Sequence, residues 1–253
     1  VDDQLQVQWT KINADKKGEK NIVDKENKIY NDDCLNILSK LPTESIDLIV
    51  TDPPYKITSR GNTGNSGGMF LKDINKKGKV FNNNDINISQ WLPECYRILK
   101  QSSHIYIMTN HINLHEYLNT IKNVGFHFIK SLIWNKGNKI MSQSYMSQFE
   151  YILFCRKGSA KKINNCGTSD IIDIPNKKQK KDGKNLHDTE KPIELMKILI
   201  ENSTNENDIV LDPFMGIGAT IIASKYCNRK YIGIEIDKNY YDIANNRIQS
   251  TLI

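Results

Sequence analysis

The residues with the most chemical content are Thr51-Asp52-Pro53-Pro54-Tyr55, which follow the apolar run Ile46–Thr51. Proline lacks a backbone N–H and has a fixed φ, and it pushes the residue before it into an extended conformation. Asp-Pro-Pro is therefore a stiff segment with acceptors and few donors. The Asp52 carboxylate and the Pro53 carbonyl both suit the N–H groups of one planar exocyclic amine. Such an amine is a poor nucleophile because its lone pair is delocalised into the ring. Two acceptors draw the nitrogen toward a tetrahedral shape and aim the lone pair at an electrophilic carbon, after which the reaction is governed mainly by positioning. Tyr55 adds an aromatic face on which a base swung out of a helix could stack. By itself, a strand ending in a proline-stiffened turn is ordinary; the combination of acid, two prolines and aromatic is not.

Asp52 is one of a set. The runs Lys28–Asn31, Ile46–Thr51, Ile209–Leu211 and Ile232–Ile234 lead into Asp32-Asp33, Asp52, Asp212 and Glu235. One acid after a strand is common turn chemistry. Four would form a rim of carboxylates, costly unless it holds a cation or a ligand rich in donors. Asp212-Pro213-Phe214-Met215-Gly216-Ile217-Gly218-Ala219-Thr220 lies between a strand and a helix. Its G-x-G is short of the full dinucleotide fingerprint and lacks the Lys-Ser/Thr of a phosphate loop. Glu235 follows Gly216 by 19 residues, close to the spacing of roughly 20 expected for a ribose-binding acid. A ligand with a ribose and an ammonium but no required phosphate fits, and S-adenosylmethionine matches with its ribose hydroxyls, ammonium, sulfonium and adenine.

The elements that must position these residues alternate. Strands are expected at Lys28–Asn31, Ile46–Thr51, His104–Thr109, His127–Asn135, Gln148–Arg156, Asp208–Leu211 and Lys230–Ile236, short runs rich in Ile, Val, Tyr and Phe. Helices are expected at Cys34–Lys40, Ser89–Leu99, His111–Val124, Pro192–Asn202, Ala219–Cys227 and Lys238–Gln249. This alternation predicts an α/β fold, a mostly parallel sheet with helices on both faces. No helix separates the runs 127–135 and 148–156, which predicts an antiparallel hairpin at one edge. Trp134 and Phe149 read as core residues. Residues 1–26 read as a charged N-terminal arm and 27–253 as a single domain, interrupted by a Gly/Lys-rich loop at 56–87 and a basic insert at about 136–187.

The 253 residues are 38% hydrophobic and 25% charged, with no apolar run long enough for a membrane span. The start of the chain lacks the basic-then-apolar pattern of a signal peptide, so a cytoplasmic location, in a bacterial or phage-infected cell, is expected. Five cysteines without C-x-x-C spacing speak against a disulfide framework, and the five histidines show no metal-ligand spacing, so no metal is expected. The net charge is +6, and residues 156–184 hold nine basic side chains against three acids, which accounts for the whole excess. Charge concentrated in this way suits a polyanion surface; a solvated basic loop is the competing reading.

Asp-Pro-Pro-Tyr, Asp-Pro-Phe-Met-Gly-Ile-Gly and His187-Asp188-Thr189-Glu190-Lys191-Pro192 together resemble the amino-group DNA methyltransferases. Because the tetrapeptide precedes the glycine motif, the resemblance is to their circularly permuted β group, over about residues 27–250. It implies a Rossmann-like, seven-stranded methyltransferase sheet, bound S-adenosylmethionine and base flipping. Asp52, Pro53, Pro54 and Tyr55 would be catalytic. Asp33 and the Cys34 backbone would meet the cofactor adenine, and Glu235 the ribose. Asp212, Phe214, Gly216, Gly218 and Thr220 would shape the methionyl pocket, with Thr189, Lys191 and Pro192 near its carboxylate. The family usually has His-Pro-Thr-Gln-Lys-Pro at the third motif, so Glu190 adds a charge here. Cytosine-N4 enzymes typically carry serine before the two prolines, and Asp52 therefore favours adenine N6. Cytosine N4 and a non-catalytic DNA-binding module are the alternatives.

The resemblance places target recognition in the basic insert. Lys56, Arg60, Lys177, Lys178, Lys180 and Lys181 are the expected phosphate contacts, and Asn164, Asn165, Asn176, Gln179 and Asn185 the expected base readers. DNA is the expected partner; a homodimer and a cognate restriction endonuclease are partners known for such enzymes. Reversing the charges at Lys177, Lys178, Lys180 and Lys181 should weaken DNA binding across sequences and flatten the plot of log affinity against log salt. Unchanged affinity and slope in a filter-binding titration would reduce the stretch to solvated surface.

Overall fold

The computed structural model describes residues 26–54, 86–140, 145–176, 180–181, 184–185 and 190–251. Tyr55, Lys56, Arg60, Lys177, Lys178, Gln179 and Thr189 lie outside these, as do the N-terminal arm and nearly all of the loop 56–87.

The described residues form ten strands and six helices: β1 Lys28–Asn31, α1 Cys34–Leu38, β2 Ile46–Thr51, α2 Ile88–Ile98, β3 Leu99–Thr109, α3 Leu114–Val124, β4 His127–Ile140, β5 Ser147–Arg156, β6 Ile171–Asp173, β7 Lys180–Lys181, β8 Lys184–Asn185, α4 Ile193–Ser203, β9 Ile209–Asp212, α5 Ala219–Tyr226, β10 Lys230–Glu235 and α6 Lys238–Ser250. The main sheet runs β1-β10-β9-β2-β3-β5-β4-β6. All its neighbours are parallel except β3–β5 and β5–β4.

Side chains alternate across the sheet as the strand period requires. Ile49, Ile105, Ile107, Leu153 and Cys155 face α1, α2 and α3, where they meet Ile37, Leu38, Trp91, Leu92, Ile98 and Ile121. Their neighbours Leu48, Val50, Tyr106, Met108, Ile152 and Phe154 face the other way, onto Leu195, Leu199, Ile200 and Ala223 of α4 and α5. Because both faces are covered, residues 48–50 of β2 and 105–108 of β3 read as unbroken apolar runs.

All seven expected strands and all six expected helices form, with ends displaced by at most five residues. Helix starts move where side chains cap the backbone. Asn110 Oδ1 accepts from the N–H groups of Ile112 and Asn113, which holds 111–113 as a turn and delays α3 to Leu114. Pro192 is the extended residue before α4, one position short of the first helical residue.

The edge differs from expectation. The β4–β5 hairpin forms, but it is not outermost, because β6 pairs with β4 through Ile133↔Ile171 and Trp134↔Ile172. The sheet therefore has eight strands and not seven. A three-residue strand inside a polar insert has too little apolar period to be recognised locally. Trp134 lies in the core with 1% exposure, whereas Phe149, expected there, is 42% exposed.

Gly233 of β10 is fixed by packing. A Cβ there would lie 2.5 Å from Met215 Sδ and 2.9 Å from Ile221 Cδ1, so the strand can approach the glycine loop only without a side chain. Gly233→Ala should destabilise the protein by about 1–3 kcal/mol, the usual cost of overpacking, measured by urea unfolding. An unchanged midpoint would show that Met215 and Ile221 move aside freely.

Candidate active site

Because β1, β10, β9 and β2 are parallel neighbours, their carboxyl ends lie side by side. The structure thus brings Asp32-Asp33, Glu235, Asp212 and Asp52 to one rim. The ties between them are direct. Asn31 pairs in register with Glu235, Gly233 with Asp212, and Thr51 Oγ1 donates to Asp212 Oδ1 at 2.9 Å.

Each acid has its own donors, which is how the rim tolerates the crowding. Asp33 caps α1 by accepting from Leu35 N, and Cys34 beside it is a buried thiol pushed up to about 12 by burial. Glu235 Oε2 accepts from Gly216 N at 2.9 Å, and Oε1 from Asp237 N at 2.8 Å. Burial raises this carboxyl above its ordinary range. Asp212, 3% exposed, accepts from Phe214 N and Thr51 Oγ1 and is also hydrogen-bonded by Thr220. Burial still raises it to about 7, with the nearby Asp52 charge contributing.

The glycine loop is built on positive φ at Gly216 (52°) and Gly218 (86°), conformations that glycine adopts without a Cβ penalty. Met215 N donates to Ile234 O, which pins the loop to β10. Phe214 packs edge-on against Trp91 at 5.4 Å.

Asp52 lies beyond β2, followed by buried Pro53. Its Oδ2 accepts from Lys191 Nζ at 2.5 Å. Its Oδ1 is buried and has no hydrogen-bond partner among the described residues. Burial pushes this carboxyl up, and Lys191 opposes the rise. Lys191 also lies 3.3 Å from Glu150 Oε2, and Lys136 donates to Glu150 Oε1 at 3.0 Å. Glu150, Lys136 and Trp134 carry no motif, and only the β4–β5 register brings them to Asp52.

Glu190 is balanced. Its Oε1 is 2.7 Å from Arg247 Nη2, and Arg247 Nη1 donates to Ile217 O in the glycine loop. The charge that departs from the family pattern therefore has a partner on α6, and the pair ties the third motif to the second.

Several basic-insert readings change. Lys157 is 4% exposed, donates to Leu99 O and pairs with Glu44, and Arg156 bonds its neighbour Gly158 O. These two cations serve the fold. Asn164 Nδ2 donates to Glu201 O and Thr204 O, and Asn165 Oδ1 accepts from Gly167 N, so both are loop staples where base readers were expected. Lys161 and Lys162 are exposed. Lys180 and Lys181 pair with Asn185 and Lys184 across the β7–β8 ribbon. His104 is a core residue, bonded to Ser203 Oγ and Lys161 O, and burial lowers it to about 4. No cluster suited to a metal occurs among the described residues, and no helix among them is long and apolar enough to cross a membrane.

The raised Asp212 has a thermodynamic consequence. A folded-state pKa above the unfolded value means that the native state binds the extra proton, so this group's contribution is present at low pH and lost as pH rises toward about 7. Asp212→Asn should therefore gain stability relative to wild type as pH rises from about 4 to about 7 in thermal melts, the interval between an ordinary Asp and this raised one. A difference independent of pH would show that Asp212 ionises normally.

Comparison with known proteins agrees with this arrangement. A sequence model described as DNA methylase, of the N6/N4 type, matches residues 46–246. The type II methyltransferase M.HinfI of Haemophilus influenzae is 32% identical over 90% of this chain and 70% of its own length. M2.MboI of Moraxella bovis, another type II methyltransferase, is 30% identical over 88% of each chain. Among solved structures, the M1.HpyAVI–S-adenosylmethionine complex superposes with a TM-score of 0.65 at 25% identity, covering 87% of this chain and 98% of that one. The cytosine-N4-specific PvuII methyltransferase shares the fold, with a TM-score of 0.70 at 19% identity over 90% of this chain and 88% of that one. This chain belongs to the N6/N4 DNA methylase family, the S-adenosylmethionine-dependent DNA methyltransferases.

Proposed function

We propose that this protein methylates adenine N6 in a defined DNA sequence, as the modification enzyme of a type II system, with Asp52-Pro53-Pro54-Tyr55 as its catalytic segment. The observation that carries this reading is Asp52 itself: one oxygen is held by Lys191, and the other is buried with no partner among the described residues. A desolvated, oriented acceptor of this kind suits an exocyclic N–H and would be left unsatisfied by a ligand without a donor.

The rim fits S-adenosylmethionine. Glu235 uses one lone pair on each oxygen for Gly216 and Asp237, which leaves acceptor capacity for two ribose hydroxyls. Asp33, similarly placed after β1, suits the adenine amine. The loop Phe214–Gly218 and Asp212 would enclose the methionyl part, with Thr220, Thr189 and Pro192 beside it. The bound cofactor supplies a methyl group on an electrophilic sulfonium.

Asp52 Oδ1 and the Pro53 carbonyl each accept one N–H of the flipped adenine. This draws the lone pair out of conjugation and aims it along the line of transfer. An amine nitrogen that has accepted a methyl group would carry a positive charge and a surplus proton, and Asp52 is the adjacent base that would take that proton. Pro53 and Pro54 keep the segment rigid, and Tyr55 stacks on the base. The Gly/Lys-rich loop with Lys56 and Arg60, and the basic insert with Lys177, Lys178, Lys180 and Lys181, contact the phosphates. The motif order supports the permuted β group. That group's frequent dimers, and the nucleases that accompany type II enzymes, make a homodimer and a cognate endonuclease the expected partners.

The test is incubation with methyl-labelled S-adenosylmethionine and mixed-sequence DNA, followed by digestion to nucleosides. Label should appear in N6-methyladenine; label in N4-methylcytosine would reverse the base assignment, and no label at all would favour the non-catalytic alternative. Asp52→Ala should lower kcat by roughly 10²–10³-fold or more, as loss of a preorganised polar group does, with DNA affinity kept. An equally active variant would remove Asp52 from the mechanism.

A further inference from the structure

Lys191 would, by resemblance, stand near the carboxylate of the cofactor. The geometry around it places it differently. Its ammonium is 2.5 Å from Asp52 Oδ2 and 3.3 Å from Glu150 Oε2. Lys136 lies 3.0 Å from Glu150 Oε1. Both ammonium groups sit 5.9 Å from the centre of the Trp134 ring. The result is an alternating chain, Asp52–Lys191–Glu150–Lys136, over one aromatic face, with both lysines buried.

We infer that Glu150 is a positioning residue for methyl transfer: backed by Lys136, it fixes Lys191 against Asp52, so that Lys191 serves the catalytic carboxylate and not the cofactor's. The inference rests on the reading of Asp52 given above.

The physical argument begins with burial. A carboxylate in low dielectric takes up a proton unless a cation stands beside it, and a protonated Asp52 is a weaker acceptor for the target amine. Lys191 supplies that cation. A lysine side chain is long and flexible, and a single contact would leave its ammonium free to wander. Glu150 gives it a second anchor, an ion pair at 3.3 Å. An unbalanced Glu150 would compete with Asp52 for Lys191. Lys136 offsets this by holding the other Glu150 oxygen, so Lys191 stays nearer Asp52. Among the described residues, the further charged or ionisable groups facing Asp52 are Asp212 on β9, tied through Thr51, and Tyr117 on α3. Neither is a cation, so within this set the counter-charge for Asp52 comes through Lys191 and the hairpin pair behind it. Lys191 on Oδ2 leaves Oδ1 for the amine.

The experiment compares Glu150→Gln, Glu150→Asp, Glu150→Gln/Lys136→Met and Asp52→Ala in the full-length protein. Single-turnover methylation is measured at saturating DNA and S-adenosylmethionine, and cofactor affinity by isothermal titration. Thermal melts select temperatures at which every variant is folded. Glu150→Gln should slow transfer by roughly tenfold, as loss of a supporting contact commonly does, with cofactor Kd within about twofold of wild type. Glu150→Asp, which keeps the charge, should recover part of the rate. The double variant removes both members of the hairpin pair and should stay slow. An unchanged rate in Glu150→Gln overturns the inference. So does a large loss of cofactor affinity with transfer intact, which would return Lys191 to the cofactor. Full recovery in the double variant also overturns it, because the defect would then come from an orphaned Lys136. An active Asp52→Ala would instead sink the underlying reading of the active site, whatever Glu150 does.

Discussion

Carboxylates crowded at the ends of adjacent parallel strands repel one another, and the site is organised around containing that repulsion. Asp52 and Asp212 sit at the ends of neighbouring strands and are both largely desolvated. Two ionised acids so placed are stable only with donors and cations close by. Asp212 draws only on neutral donors, namely the hydroxyls of Thr51 and Thr220 and the Phe214 amide; these favour the ionised form, but burial outweighs them and its proton is held more tightly. Asp52 draws on a cation. One acid is thereby suited to shape a loop, and the other to remain a charged acceptor.

The remaining architecture serves this division. The doubly covered sheet places four strand ends in register, and the positive-φ glycines let the loop after β9 turn back over β10, where Gly233 leaves room for Met215. Arg247 then links the loop to the segment that carries Lys191. One guanidinium thus bonds both the loop and the residue that precedes the lysine beside Asp52. The β4–β5 hairpin, which lies away from every motif in the sequence, delivers the counter-charges from the far side.

Lysine richness was an imperfect guide to the DNA-facing surface. The surplus in residues 156–184 is real, but Lys157 is sealed beneath Tyr96 and bonded to the backbone of β3. Charge counting registers how many cations a segment carries and not which way they point. Asparagine has the same ambiguity. The Asn164 amide that could read a base instead closes a loop onto the end of α4, where it donates to the carbonyls of Glu201 and Thr204.

The sequence alone determined what depends on local pattern. Strand and helix periods, the acids that end the apolar runs, and the spacing between Gly216 and Glu235 are written along the chain. With the three motifs, they sufficed for the fold class, the rim of carboxylates and the family. Tertiary structure decided what depends on contact between distant segments. The pairing of Lys191 with Asp52, the arrival of Glu150 and Lys136 from a hairpin, the Arg247 partner of Glu190 and the β6 edge strand have no local signal. Each arises from a register or packing angle that forms only when the whole core closes. The physical reason is range: hydrophobic period is a property of neighbours in sequence, whereas a buried charge is satisfied by whatever neighbour the fold supplies in space.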